Sequence, residues 1–184
     1  MAGALGLGLA RRAGARAVRT RVGLRLRPDR TFGDYGENRR QAQLIWTPGG
    51  DVSALNQLMP GGPYLDFPVA QGRNADDVCS VCEGALRLAA AGLPDGYAAT
   101  TRWAFIPCFA AYPRIRVAEG FPRHVIDRNR ITGRRYFVGA RRGARGRRGA
   151  RRRPIAKSVQ MTTQYFPDPP FQQTITPATT CPVG

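Results

Sequence analysis

Short apolar runs, each ended by a turn signal, make up most of the chain from residue 21 to residue 133. Residues 22–32, VGLRLRPDRTF, alternate apolar and polar positions, the period of a half-exposed strand, and run into a turn at Pro28-Asp29. AQLIWTPGGD (42–51) reads as a short apolar strand stopped by Pro48-Gly49-Gly50. Asp51 or Ser53 then caps a short helix through Leu58, before another break at Pro60-Gly61-Gly62-Pro63. DVCSV (77–81) has the unbroken apolar character of a strand buried in a parallel sheet. It runs straight into GALRLAAAGL (84–93), where Leu86, Leu88, Ala89 and Leu93 give a helix a mostly buried face and Gly92 ends it. A turn at Pro94-Asp95-Gly96 leads to YAATTRW and a helical stretch over 103–112. RIRVAEG and HVIDRNRIT read as two further strands, the second containing a polar turn over Asp127 to Arg130. Strands alternating with helices at this spacing predict an α/β fold with a mostly parallel sheet. After Gly133 the pattern gives way to Arg, Gly and Ala, then recovers at PIAKSVQMTTQYF (154–166), the end of a helix before a Pro-rich tail.

Length adds one constraint: 184 residues suit one domain with a buried core. No run approaches the roughly 18 apolar residues of a membrane helix, so no membrane partner is expected. The opening MAGALGLGLARRAGARA is Arg-rich and acid-free, but Arg11 and Arg12 follow its apolar stretch, whereas a secretory signal places charge first. The working expectation is a cytoplasmic protein.

The net charge of +17 is unevenly distributed. Ten arginines lie in residues 134–153 and four in residues 1–20, neither block has an acid, and together they carry all but three of the net charges. Basicity therefore belongs to two blocks and not to the fold. An Arg/Gly tract binds phosphates without specificity, and stacking residues are scarce beside it, so no specific nucleic-acid partner is expected. Four cysteines (Cys79, Cys82, Cys108, Cys181) are too few for a disulfide scaffold. Cys79 and Cys82 form a CxxC, but no second ligand pair completes a zinc site, and strand positions three apart face opposite ways.

Three segments carry a family resemblance: LIWTPGGD (44–51), SVCEGALRLAAAGLPDGYAATTRW (80–103) and VIDRNRITG (125–133), with KSVQMTTQYFPDPPF (157–171) matching a family C-terminus. In this order they resemble the DJ-one/PfpI superfamily of class I glutamine amidotransferase-like proteins, nearest its isonitrile hydratases and the sensor domains of AraC-type regulators. The resemblance implies a flavodoxin-like three-layer sandwich, no cofactor, a small-molecule substrate and, as is common among relatives, a homodimer. It also implies a nucleophile elbow at Cys82, on a sharp strand-to-helix turn whose helix start favours negative charge on the sulfur. Gly84 lets that helix begin close to the elbow, Gly49 belongs to the turn facing it, and the backbone N–H groups of Gly50 and Glu83 form the oxyanion cradle. In a hydratase of this kind the thiolate attacks the isonitrile carbon, and water completes an N-substituted formamide, helped by an acid just after the first strand.

The chain departs from that pattern in four places. No acid precedes Asp29, so the opening strand and its carboxylate are missing. Glu83 stands where hydratases carry Thr, opposing thiolate formation by like charge while also offering a substitute acid. Thr100-Thr101-Arg102-Trp103 has Arg for the family His, and the single His124 reads as an ordinary strand residue. Finally, the helix expected after ITG is replaced by the arginine block. A family-like helix GGISSGLDEALEVV, written in GC-rich codons and read from the third base, gives RHFVGARRGARGR. The chain has RYFVGARRGARGR from Arg135, a single difference across the tract. Residues 134–153 therefore read as an out-of-frame segment restored near Pro154, which an independent gene sequence encoding the arginines in frame would refute. The domain plan is an atypical segment over 1–20, a PfpI-like domain over 21–171 interrupted at 134–153, and a flexible tail over 172–184. The functional expectation is an isonitrile-hydratase-like protein, impaired in this chain by the missing strand and helix. The alternatives are a ligand-sensing domain and nonspecific nucleic-acid binding through the arginines.

Overall fold

A computed structural model describes residues 10–11, 18–19, 25–37, 41–50, 52–134, 175–176 and 178–183. Four short strands open it: β1 (Ala10–Arg11), β2 (Val18–Arg19), β3 (Arg25–Leu26) and β4 (Arg30–Thr31). β1 pairs with β4 in parallel, and β2 with β3 antiparallel. Helix α1 (Gly33–Glu37) follows. At its start the Thr31 hydroxyl donates to Asp34 Oδ2 at 2.9 Å, while the Asp34 N–H donates back to Thr31 Oγ1 at 3.4 Å, a reciprocal capping arrangement.

The central sheet is built from β5 (Leu44–Thr47), β6 (Asp77–Val81), β9 (His124–Asp127) and β10 (Arg130–Gly133) in the order β5-β6-β10-β9. β5, β6 and β10 run parallel, and β9 is antiparallel to β10. Among the described residues β5 ends the sheet, and no strand before it joins. HVIDRNRIT is thus a hairpin and not one strand with a turn inside it, because Arg128 adopts a left-handed φ of 51° and reverses the chain. Between β5 and β6 lie α2 (Val52–Leu58) and α3 (Pro63–Gly72).

The sequence pattern misses α3, whose PYLDFPVAQG carries a proline inside the helix. Pro68 has no N–H to give the Tyr64 carbonyl one turn back. That carbonyl accepts instead from Arg87 Nη2 at 2.6 Å, so α4 (Gly84–Ala90) supplies the hydrogen bond that the helix lacks. After α4, Gly92 (φ 67°) and Gly96 (φ 74°) take the left-handed turns expected of them. β7 (Ala98–Ala99) pairs in parallel with β8 (Arg116–Val117). The helical stretch between them is a 3-10 helix, Trp103–Ala111, with Pro107 inside it.

Two apolar clusters share α4. Ala85, Leu86 and Ala89 pack with Leu55, Ala99, Phe105, Cys108, Phe109 and Ile115, whereas Leu88 packs with Ile45, Val78 and Leu93. On the other face of the sheet, Trp46, Cys79, Ile131 and Ile126 stand in register across all four strands. The middle two are buried, and the outer two are 38% and 44% exposed.

Cys108 and Cys181 form a disulfide with Cα atoms 4.7 Å apart, and Val183 packs against the first cluster. The tail expected to be flexible is therefore tied down at residues 181–183, by a bridge that spacing in the sequence does not reveal. No helix of the described residues is long and apolar enough to cross a membrane. The arginine tract from 135 onward, the helix end at 154–166 and Asp51 lie outside the described residues.

Candidate active site

β6 ends at Val81 and α4 begins at Gly84, leaving two residues for a reversal of direction. Cys82 makes it with φ 50°, a left-handed conformation that costs a residue with a side chain roughly 1–3 kcal/mol. The surroundings hold it there. The Cys82 N–H donates to the Gly133 carbonyl at 2.7 Å, continuing the β6–β10 pairing past the strand end. Its carbonyl accepts from Thr101 Oγ1 at 2.7 Å and from the Ala85 N–H at 3.2 Å. Thr101 sits in a fully buried pair with Thr100, whose N–H donates to Thr132 Oγ1 at 2.8 Å. The TTRW segment, β10 and the elbow therefore form one hydrogen-bonded unit.

Glycine sets the closeness of the approach. A Cβ on Gly84 would overlap the Thr47 and Pro48 carbonyls, so the first turn of α4 rests directly on the end of β5. On the opposing turn, the point where a Gly49 Cβ would stand lies 2.5 Å from Glu83 Oε2 and 3.1 Å from the Cys82 Cβ. Gly50 follows in the same exposed loop.

Two charged residues complete the site. Glu83 is 5% exposed, an unusual burial for a carboxylate. Its Oε1 lies 3.4 Å from Nη1 of Arg102, whose side chain is half exposed. The two positions where the chain departs from the family pattern around the elbow thus meet each other. The Cys82 thiol is half-buried and donates to the Arg134 carbonyl at 2.7 Å. A carbonyl is an acceptor, so this is a contact of the protonated sulfur.

Cys82, Glu83, Gly49 and Gly84 come together as the sequence suggests, and Gly50 adjoins them. The roles of Thr101 and of the Arg134 carbonyl are not visible in the sequence, because one depends on a buried loop and the other on the backbone. Cys79 is no redox partner for Cys82. It lies inside β6, where burial pushes its thiol up to about 12. His124 pairs with Gly133 across β10, roughly 10 Å and two strand spacings from the elbow strand.

No protein-family model matches the chain. An isonitrile hydratase from Pseudomonas putida is 34% identical over 154 residues, covering 84% of this chain and 64% of that protein. A ThiJ/PfpI family protein from Pseudomonas syringae superposes with a TM-score of 0.72 at 30% identity, covering 89% of this chain and 64% of the other. The chain therefore spans 64% of the length of both. A DJ-1 superfamily protein from Salmonella typhimurium shares the fold at a TM-score of 0.61 and 18% identity, covering 85% of this chain and 80% of that one. With the strand-to-helix elbow, the flavodoxin-like parallel sheet and these relatives in agreement, the chain has the DJ-1/PfpI fold and is similar in sequence to members of that family.

Proposed function

We propose that the protein hydrates an isonitrile to an N-substituted formamide, with Cys82 as the nucleophile. The observation that carries this reading is Cys82 itself, a half-buried thiol on a left-handed elbow at the carboxyl end of a parallel strand. A non-glycine residue in that conformation is expected where strain serves a site, and the 34% identity to a hydratase supplies the reaction class. In this reading the N–H groups of Gly50 and Glu83 steady the negative charge that develops on the bound intermediate. A small molecule is the substrate, and the arginine tract takes no part.

Incubation with cyclohexyl isocyanide, with formamide read by mass spectrometry, tests the proposal. Cys82→Ala is expected to lose at least about a thousandfold in rate, as removal of a covalent nucleophile does. Turnover surviving in that variant would refute the nucleophile.

A second reading keeps the fold without the chemistry: a ligand-sensing domain in which the thiol stays bonded to the Arg134 carbonyl. Support comes from a transcriptional regulator protein of Vibrio parahaemolyticus that shares the fold, at a TM-score of 0.53 and 15% identity. Ligand binding with no product formed would select this reading.

A further inference from the structure

Adding a thiol to an isonitrile carbon needs a group that takes the sulfur's proton and returns it to that carbon. The thiol proton faces the Arg134 carbonyl, a neutral acceptor too weakly basic to remove it. The buried carboxylate next to Cys82 in the chain is Glu83. Its Oε2 and the Cys82 Cβ both lie within about 3 Å of one point over Gly49, a space kept open because that residue has no side chain. Burying a carboxylate costs free energy unless strong partners offset it. Among the described residues, the partner of this buried carboxylate is the half-exposed Arg102 guanidinium, at 3.4 Å.

Among the described residues, Asp77, Asp95 and Asp127 are placed elsewhere. Asp77 opens β6, roughly 16 Å along the strand from Cys82. Asp95 is paired with Arg114, and Asp127 with Arg116 and Arg128.

We propose that the Glu83 carboxylate is the proton carrier for Cys82, and that Arg102 is its positioning residue. The inference takes its reaction from the isonitrile reading and its residue from the geometry. Glu83 removes the S–H proton as sulfur attacks the terminal carbon, and the proton passes to that carbon, giving a thioimidate. Water then adds across the C=N bond, its oxygen to carbon and one proton to nitrogen. Collapse of the adduct breaks the C–S bond, and the remaining hydroxyl proton returns through Glu83 to sulfur. The net change is isonitrile plus water to formamide, with the thiol regenerated.

The test uses the full chain and two readouts: cyclohexyl isocyanide turnover, and the alkylation rate of Cys82 by iodoacetamide at neutral pH, followed by peptide mass. Glu83→Gln is expected to lower kcat about a hundredfold with KM little changed, and to slow Cys82 alkylation about tenfold. Arg102→Gln is expected to lower kcat about tenfold, to recover partly as Arg102→Lys, and to add nothing in the double variant with Glu83→Gln. Should Glu83→Gln unfold by circular dichroism, Glu83→Thr carries the same comparison. Alkylation that is unchanged or faster without the carboxylate overturns the proposal, since it marks Glu83 as only a like-charge neighbour. No formamide from the unmodified chain, together with slowed alkylation in Glu83→Gln, removes the isonitrile reaction and keeps the proton carrier. Formamide at an unchanged rate from Glu83→Gln does the reverse.

Discussion

Position 84 shows how much one missing methyl group decides. The Thr47 and Pro48 carbonyls occupy the volume where a side chain would begin, and both belong to backbone that cannot swing away. Gly84→Ala must push α4 off the end of β5, carrying Leu86 and Leu88, both essentially fully buried, with it. The expected cost is at least about 2 kcal/mol, read from the midpoint of urea unfolding. A change within about 0.5 kcal/mol would mean that the helix start moves freely. The glycine and the elbow cysteine were both legible in the sequence, since apolar strand, cysteine, small residue and helix follow in immediate succession. The Arg102–Glu83 contact was not, because nineteen residues separate partners that only the return of the chain through β7 brings together.

Among the elements, those with one strong period were read correctly. β6 and α4 owe this to nearly continuous burial, β5 to a short apolar run stopped by Pro48-Gly49-Gly50, and the turns at Gly92 and Gly96 to conformations that favour glycine. α3 escaped because Pro68 argues against a helix, and its compensation comes from another element through Arg87. The polar turn over Asp127 to Arg130 was legible, but the pairing of β9 with β10 around it was not, because the turn has no glycine; Arg128 holds the left-handed position instead, its guanidinium 3.5 Å from the Tyr97 ring centroid. Asp127 ties this hairpin to β7. The Ala98 N–H donates to it at 2.8 Å, and this bond, helped by Arg128 and Arg116, holds its carboxyl below the ordinary value of 3.8. A folded-state value below the unfolded one contributes stability that is fully present above pH 3.8 and is lost as pH falls through the lowered value. Asp127→Asn is therefore expected to be less stable than the unmodified chain at neutral pH, with the gap closing in acid. Urea unfolding at neutral and acidic pH checks this, and a gap independent of pH would contradict it.

On the scale of the whole molecule, the sheet order and the core clusters that share α4 place the elbow, the Gly49 turn and the TTRW segment at one site. The pattern of apolar positions foresaw that class of architecture because burial repeats along the chain. It gave no sign of the Cys108–Cys181 bridge, whose partners are 73 residues apart. Closing so long a loop restricts the unfolded chain, so Cys181→Ser is expected to lower stability by about 2–4 kcal/mol under oxidising conditions. The same variant and the unmodified chain should unfold alike in reductant, and a difference persisting there would assign the effect to packing. In a reducing cytoplasm the bridge would open, so the stability it lends depends on the compartment in which the chain resides.

The bridge also alters how the molecule is connected. Cys108 precedes the arginine tract at 134–153 and Cys181 follows it, so the peptide backbone is not the only covalent path between the two ends. A cut anywhere in that tract, where arginine offers many sites to a trypsin-like protease, divides the backbone without dividing the molecule. The nicked protein would keep its mass until a reductant was added, and only then separate into an elbow-bearing piece and a tail.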